Sequence, residues 1–425
     1  MDRQAAARIA VAALAFRLLS AFLAFLCNIV FPLDRSEQFS VFNSASPFWD
    51  TFARYDTGYF EKIAWGGYAP LEGGRSNIAY FPVYPMLMRF VGQLFGRRQS
   101  TFYISGIAVS WVCFIAAMVA LYYLARLDLP RRRAERAVLL AAVFPFAFFY
   151  GVAYSESTFL LFTVLAFYFF RRERYIAGGV CGGIATATRV PGIFMVPALA
   201  WIAFDQVRRG QRSGGVRAWG GVILASSGFL AYCAYIYFLT GNPLEWAATL
   251  QRWGYYPGGA PWLAPFRLIV NLATHPYAYL AGDRMAPYDT LYGVTGIAFV
   301  AATPFVWRRF GGGYGLFMLA NLWLPLSSGV FEGVGRYCSV LFPFFIWMAE
   351  VKRLPGGRYS GRFANQPRDL PGRKAGEVAL FGEADISDWM FMRNGKIVGG
   401  ETIRPLLKSL PKADADALRA RLETP

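Results

Sequence analysis

The sequence predicts an all-α polytopic membrane protein of about ten transmembrane helices with a small α/β C-terminal tail. Three observations carry this expectation. Hydrophobic residues make up 56% of the 425 residues and charged residues only 16%, whereas a soluble domain carries about a quarter charged residues. Apolar runs of roughly 18 residues recur along the chain, long enough to cross about 30 Å of hydrocarbon as helix. The runs are continuous rather than alternating, which argues against a strand barrel.

The placement of Lys and Arg sets the expected topology. Arg3 and Arg8 precede the first run, Ile9–Phe31, so the N-terminus is placed inside. With no small-x-small site after it, this run reads as a retained first helix rather than a cleaved leader. The second run, Phe102–Leu124, ends at Arg126 and Pro130-Arg131-Arg132-Arg133. Ala137–Tyr150 leads out to the turn Ala153–Ser157, and Thr158–Phe170 returns to Arg171, Arg172 and Arg174. Ile176–Arg189 and Pro191–Phe204 form the next pair, ending at Arg208, Arg209, Arg212 and Arg217. Trp219–Leu239 goes out, Leu291–Trp307 returns to Arg308 and Arg309, and Leu316–Val330 and Tyr337–Ala349 complete the set before Lys352 and Arg353. Ten spans with both ends inside put every dense basic cluster on one side. The net charge of +17 therefore reads as positive-inside bias rather than as a nucleic-acid surface.

Two long outer segments result, 32–100 and 241–289, rich in Trp, Tyr, Pro and Gly. Their aromatic residues suit the lipid–water boundary, and Tyr59–Ala64 and Pro85–Leu94 are expected as short interfacial helices. Residues 1–354 form the membrane domain, 355–376 a basic Gly/Pro-rich linker, and 377–425 a small cytoplasmic α/β tail of unknown function. In the tail, Asp388–Met392 runs through Asn394-Gly395, a hairpin-turn signal, into Ile397-Val398, and a helix is expected near Asp414–Leu422. The five cysteines, Cys27, Cys113, Cys181, Cys233 and Cys338, lie within apolar runs without pairing or ligand spacing and are expected as buried small hydrophobes.

Ionisable residues at membrane depth are costly and mark function by default. Four fall on the outer side: Asp56, Glu156, Arg189 and Arg336. Each has a plain alternative. Asp56 can pair with Arg54 or cap the next helix, and Glu156 can cap the fourth span. Arg189 and Arg336 can snorkel to headgroups. Together they fit sugar transfer from a lipid phosphate. A carboxylate takes the proton of an acceptor hydroxyl, and guanidinium forks stabilise the phosphate leaving group. The phosphate already activates the sugar, so neither metal nor cofactor is expected. The sole histidine, His275, is expected as a structural residue or a substrate contact.

These residues also carry a family likeness. Arg54-Tyr55-Asp56 with Ile63-Ala64 and Gly67-Tyr68, Tyr80–Pro85, Tyr154–Ser157, Thr188–Gly192, and Arg336-Tyr337 before Phe342-Pro343 resemble the PIG-V family of mannosyltransferases. The likeness is to its bacterial branch, within the GT-C class of membrane glycosyltransferases, and the motifs keep the family order over about 9–352. Tyr55 stands where the family commonly has tryptophan, and the tail lies outside the family pattern. Around Asp385–Arg404 the tail instead resembles a small bacterial α/β domain of unknown function.

The resemblance implies a GT-C-like fold and a polyprenyl-phosphate sugar donor, with mannose as the sugar. The acceptor is a lipid-linked or other glycan, among membrane lipids, at the outer face of the bacterial cytoplasmic (inner) membrane. It implies Asp56 as general base with Glu156 as a second carboxylate at the catalytic centre. Arg54, Tyr55, Tyr59, Tyr84, Tyr154, Arg189, Arg336 and Tyr337 are the implied substrate contacts. Two readings from other classes stand beside it: a lipid-linked glycan transporter or flippase, and a non-catalytic membrane scaffold. A transporter would place charge near the bilayer midplane and often shows internal repeats. No convincing repeat is present, and only Arg17, inside the first run, leans that way.

Overall fold

The computed structural model describes residues 3–31, 47–69, 76–96, 98–208, 215–253, 260–282, 286–328, 331 and 333–351, with three short strands between 378 and 399. The chain divides into two units, Met1–Val351 and Lys352–Pro425.

The first unit is helical throughout its described residues. Five helices are long and apolar enough to cross a bilayer: Arg3–Val30, Gln99–Ala125, Val190–Arg208, Gly215–Thr240 and Pro287–Phe310. In chain order the helices are α1 (Arg3–Val30), α2 (Thr57–Gly66), α3 (Val83–Leu94), α4 (Gln99–Ala125), α5 (Arg131–Ala142), α6 (Glu156–Arg171), α7 (Tyr175–Thr186) and α8 (Met195–Arg208). They continue with α9 (Gly215–Thr240), α10 (Glu245–Arg252), α11 (Leu263–Thr274), α12 (Pro276–Ala281), α13 (Ala286–Phe310), α14 (Gly312–Leu326), α15 (Val334–Ser339) and α16 (Phe342–Glu350). The remaining expected spans are thus shorter or composite. The third is α5 followed by a 3-10 turn, Pro145–Tyr150, and the tenth is α15 followed by α16.

α4 lies at the centre, with α1, α3, α5 and α6 packed around it. Its sequence is apolar on all sides, and a helix hydrophobic all round is one that is enclosed. α1 shows the opposite. Its buried residues, Ala5, Ile9, Ala13, Arg17 and Ala21, repeat at i+4 and form one narrow stripe, leaving the rest of an apolar helix outward as lipid contact requires. Cys27 falls on that outward surface and is exposed, whereas Cys113, Cys181, Cys233 and Cys338 are buried. The expectation for Cys27 is therefore corrected: near the end of α1 no neighbouring helix covers it.

The closest helix approach joins α7 and α9. Gly179, Gly182 and Gly183 of Tyr-Ile-Ala-Gly-Gly-Val-Cys-Gly-Gly lie in this contact, as small residues do where membrane helices meet. A Cβ on Gly179 would lie 2.6 Å from the Gly221 carbonyl oxygen, and one on Gly182 would lie 2.6 Å from Cβ of Ala225. Thr186 locks the contact, its hydroxyl donating to the Ala225 carbonyl at 2.9 Å. This lock fixes the C-terminal end of α7 at Thr186, three residues before Arg189.

The described residues of the two segments expected outside are largely helical. The expected short helices are present as α2 and α3, and the second segment holds α10, α11 and α12. The described part of the tail is an antiparallel meander of β1 (Val378–Phe381), β2 (Met390–Arg393) and β3 (Lys396–Gly399). The β2–β3 register runs from Met390 opposite Gly399 to Arg393 opposite Lys396, which is the expected hairpin. The helix expected near Asp414–Leu422 lies outside the described residues.

Gly179→Val should lower the thermal midpoint of detergent-solubilised protein sharply, because backbone stands where the new side chain must go. Gly220→Ala meets nothing within 4 Å and should raise stability by about 0.5–1 kcal/mol through helix propensity. Melting both variants by size-exclusion recovery checks the pair. Equal midpoints would show that the α7–α9 contact is not the tight one.

Candidate active site

Four segments distant in sequence converge on one cluster: the turn before α2, the start of α6, the turn after α7, and α15. Arg336 is the centre of it. Its Nη1 donates to Asp56 Oδ2 at 2.7 Å and its Nε to Glu156 Oε1 at 2.7 Å. Arg189 Nη1 forms an ion pair with the same Glu156 oxygen, and Glu156 Oε2 is buried with no hydrogen-bond partner. Two carboxylates and two guanidiniums therefore balance in charge.

The four are unequally open to solvent. The side chain of Glu156 is 0% exposed and that of Arg189 11%, while Asp56 and Arg336 are 25% and 21% exposed. A solute reaches Asp56 and one side of Arg336, whereas Glu156 is enclosed behind the two cations. The plain alternatives fail on this geometry. Asp56 pairs with Arg336 and makes no side-chain cap for α2, and Arg54 is spent on Asp50 Oδ2 at 2.6 Å and Asn28 Oδ1 at 2.7 Å. Glu156 is held by the two arginines, and neither arginine snorkels outward.

Local structure explains how each side chain is aimed. Tyr55, immediately before Asp56, is left-handed at φ 51°, a conformation costly for a non-glycine residue and typical of sites that impose it. The turn is tied down on both sides: Ala153 N–H donates to the Phe52 carbonyl at 2.9 Å and the Thr57 hydroxyl to the Ala153 carbonyl at 3.2 Å. These bonds join the Asp56 turn directly to the turn that begins α6. Arg189 has extended backbone between α7 and the 3-10 turn Val190–Phe194. Gly192 allows that sharp return, since a Cβ there would lie 2.6 Å from the Ala185 carbonyl oxygen. Gly335 performs the same service for Arg336, sitting against the ring of Phe146 with no room for a side chain.

Aromatic rings form the walls. The guanidinium of Arg336 lies 4.6 Å from the centre of the Tyr154 ring and 5.1 Å from that of Phe149, and Arg189 lies 5.7 Å from the Tyr337 ring, a cation–π arrangement. On the solvent side of Asp56, the Tyr80 hydroxyl donates to Asp56 Oδ1 at 2.8 Å. Burial, then the neighbouring carboxylate, pushes the Tyr80 phenol well above its ordinary range, so Tyr80 holds its proton as a fixed donor. Tyr59 stacks on Tyr80 at 4.9 Å, and Trp253, at the end of α10, leans on both at 5.2 and 5.7 Å. The indole N–H of Trp253 is buried without a hydrogen-bond partner.

Of the residues expected at the site, Asp56, Glu156, Arg189 and Arg336 come together, with Tyr154, Tyr337 and Tyr59 against them. Tyr55 is exposed beside the turn. Two stand apart from the opening: Arg54 faces Asp50 and Asn28, and Tyr84 is 0% exposed, its hydroxyl directed to the Gly106 carbonyl and Ser110. The position from the same motif that does face Asp56 is Tyr80. Tyr80 and Trp253 were missed by sequence reasoning. Tyr80 lay inside a motif already singled out, four residues before Tyr84. Nothing in the sequence pairs Trp253 with Asp56. The Gly67-Tyr68 pair serves Tyr80: the Tyr68 hydroxyl donates to its carbonyl at 2.7 Å, and Gly67, at φ 85°, supplies the turn that glycine favours. Among the described residues no three His, Cys, Asp or Glu side chains gather.

α6 spans 16 residues from Glu156 at the cluster to Arg171 at the basic end, about 24 Å at 1.5 Å per residue. That length is several Å short of the roughly 30 Å hydrocarbon layer.

Comparison with known proteins gives partial matches. Residues 80–231 match the model of the dolichyl-phosphate-mannose-protein mannosyltransferase family, a stretch that includes Tyr80, Glu156 and Arg189 but not Asp56 or Arg336. Residues 344–421 match a family described as uncharacterised proteins conserved in bacteria, DUF2314. Over 76 residues, 18% of this chain and 49% of that protein, the sequence is 41% identical to the uncharacterised protein YegJ of Escherichia coli (strain K12). Two crystal structures of the Archaeoglobus fulgidus oligosaccharyltransferase align at 14% identity, one with a tethered acceptor peptide and one with zinc and sulfate. Their TM-scores are 0.42 and 0.41, covering 79% of this chain and 49% and 48% of theirs. The chain thus spans about half the length of each of these relatives. The apolar helices make this a multi-pass membrane protein, and the mannosyltransferase match covers about a third of it.

Glu156→Ala should cost about 3–5 kcal/mol, because it leaves two buried guanidiniums facing each other. Asp56→Asn, at a partly exposed carboxylate, should cost no more than about 1 kcal/mol. Thermal midpoints of the two variants in the same detergent check the difference; indistinguishable midpoints would remove Glu156 as the buried counter-charge.

Proposed function

We propose that the protein transfers a sugar, mannose by the likeness of its motifs to the PIG-V family, from a polyprenyl-phosphate donor to a lipid-linked or other glycan acceptor. The observation that carries the reading is the convergence of one solvent-reachable carboxylate, Asp56, with two guanidiniums, Arg336 and Arg189. That set answers the demands of the chemistry. Asp56 takes the proton from the acceptor hydroxyl as its oxygen bonds to the anomeric carbon. The bond between that carbon and the phosphate oxygen breaks, and the departing polyprenyl phosphate carries the electron pair toward Arg336 and Arg189.

Arg336 is shared between Asp56 and Glu156. An incoming phosphate competes for the guanidinium and loosens its hold on Asp56, while Tyr80 keeps the carboxylate in place. Glu156, enclosed, is a positioning residue for the two arginines. Tyr59, Tyr80 and Trp253 offer ring faces of the kind that pack against a sugar, and the unpaired indole N–H of Trp253 is a free donor for one of its hydroxyls.

The ends of α6 and α7 support an extracytoplasmic site. The cluster lies at one end of both helices and Arg171, Arg172 and Arg174 at the other, the arrangement that positive-inside bias gives a site on the outer face of a bacterial cytoplasmic membrane.

Incubation of purified protein in detergent with radiolabelled polyprenyl-phosphate mannose and a membrane extract tests the reading. Labelled product is expected, and its formation without a sealed compartment distinguishes transfer from flipping. Asp56→Asn should reduce incorporation by about two to four orders of magnitude while leaving membrane insertion intact; retained transfer would remove it as base. Arg336→Lys keeps the charge but loses the fork, and should raise the donor concentration needed for half-maximal rate about tenfold. An unchanged requirement would take Arg336 out of the phosphate site.

A further inference from the structure

Arg17 sits near the middle of α1, about 20 Å of helix from either end, and takes no part in the cluster around Arg336. It is 1% exposed. Nη1 donates to the Ala147 carbonyl at 2.9 Å, Nη2 reaches Ser20 Oγ only at 3.5 Å, and Nε is buried with no hydrogen-bond partner. The rings of Phe114 and Phe16 lie 4.4 and 5.1 Å from the guanidinium carbon. Among the described residues no carboxylate pairs with it. A buried cation served by one carbonyl and two ring faces is under-compensated, and at membrane depth that is expensive.

A small cleft of about 40 Å³ opens beside this charge, lined among others by Arg17, Ser20, Ala24, Thr51, Trp111 and Gly151. Its polar edge is cationic or hydroxylic: the guanidinium, Ser20 and Thr51. Trp111 only frames it, since its indole N–H donates to the Gly151 carbonyl at 2.9 Å. Gly151 keeps the space open, because a Cβ there would lie 2.9 Å from Arg17 Nη1. Around the mouth, α1 turns the exposed apolar residues Leu18, Phe22 and Leu23 outward.

We propose that this cleft binds the phosphate headgroup of a membrane lipid, with its chains lying along α1. An anion is what the guanidinium lacks, the two hydroxyls are suited to phosphate oxygens, and an apolar outer wall favours an anion that carries hydrocarbon. Free phosphate would gain nothing from that wall. None of the residues lining the cleft belongs to the cluster of Asp56, Glu156, Arg189 and Arg336, so the proposal is independent of the transferase reading. The lipid is either a bulk phospholipid or a polyprenyl phosphate, two sources of one headgroup chemistry.

Native mass spectrometry of the full-length protein, released from detergent with phosphatidylglycerol, polyprenyl phosphate or uncharged diacylglycerol at matched concentrations, tests this. The wild type is expected to retain a phosphate-bearing lipid about tenfold more than diacylglycerol, a difference of about 1.4 kcal/mol. Arg17→Met and Ala24→Phe should each retain one lipid fewer per chain, and Arg17→Lys an intermediate amount. Ala24→Phe fills the cleft with the charge intact and therefore reports on binding even if Arg17→Met does not fold. Loss of polyprenyl phosphate alone in these variants would assign a lipid-linked substrate, and loss of both lipids a structural phospholipid. Equal retention of phosphate lipids by wild type and Ala24→Phe would overturn the proposal and leave Arg17 as a strut on the Ala147 carbonyl.

Discussion

One guanidinium shared between two carboxylates organises the membrane unit. Arg336 reaches Asp56 across 280 positions of sequence and Glu156 across 180, and Arg189 closes the group from a third helix. In a low-dielectric interior neither Glu156 nor the arginines can be enclosed alone, since each needs its counter-charge at hydrogen-bond distance. Charge balance thus obliges the start of α6, the end of α7, α15 and the turn before α2 to meet at one point. The surrounding features serve that meeting: the glycine contact of α7 with α9, the tight fit of Gly335 on Phe146, and the backbone bonds that join Phe52 and Thr57 to Ala153.

The division of exposure within the cluster gives its members different work. Glu156 has no solvent contact and acts by holding the two cations apart and in register. Asp56 is held by Arg336 and Tyr80, yet remains reachable. Glu156 lies at the enclosed end of the cluster, shut off from water. Electrostatic contacts are stronger there than at a wet surface.

The second unit stands on different ground. Its described strands pair in a simple meander, and its sequence matches bacterial proteins of uncharacterised function. The match begins at residue 344, within α16, so the likeness reaches back into the last helix of the membrane unit.

Much of this protein is written in its sequence. Continuous apolar runs can satisfy their backbone only as helices in a lipid solvent, and the Arg clusters between them order the ends. The four ionisable residues of the cluster stand out because charge in such runs is rare, and the hairpin of the tail follows from Asn394-Gly395. The partnerships were not legible. Sequence left Asp56 free to pair with Arg54, four segments free to lie apart, and Tyr84 as good a site residue as Tyr80. Only packing decided these, because which of two tyrosines faces a carboxylate depends on how α3 docks on α4, and which arginine neutralises Asp56 depends on where α15 is wedged. Composition and periodicity are local properties and determine the helices; ion pairing across hundreds of residues depends on three-dimensional proximity, which the fold alone supplies.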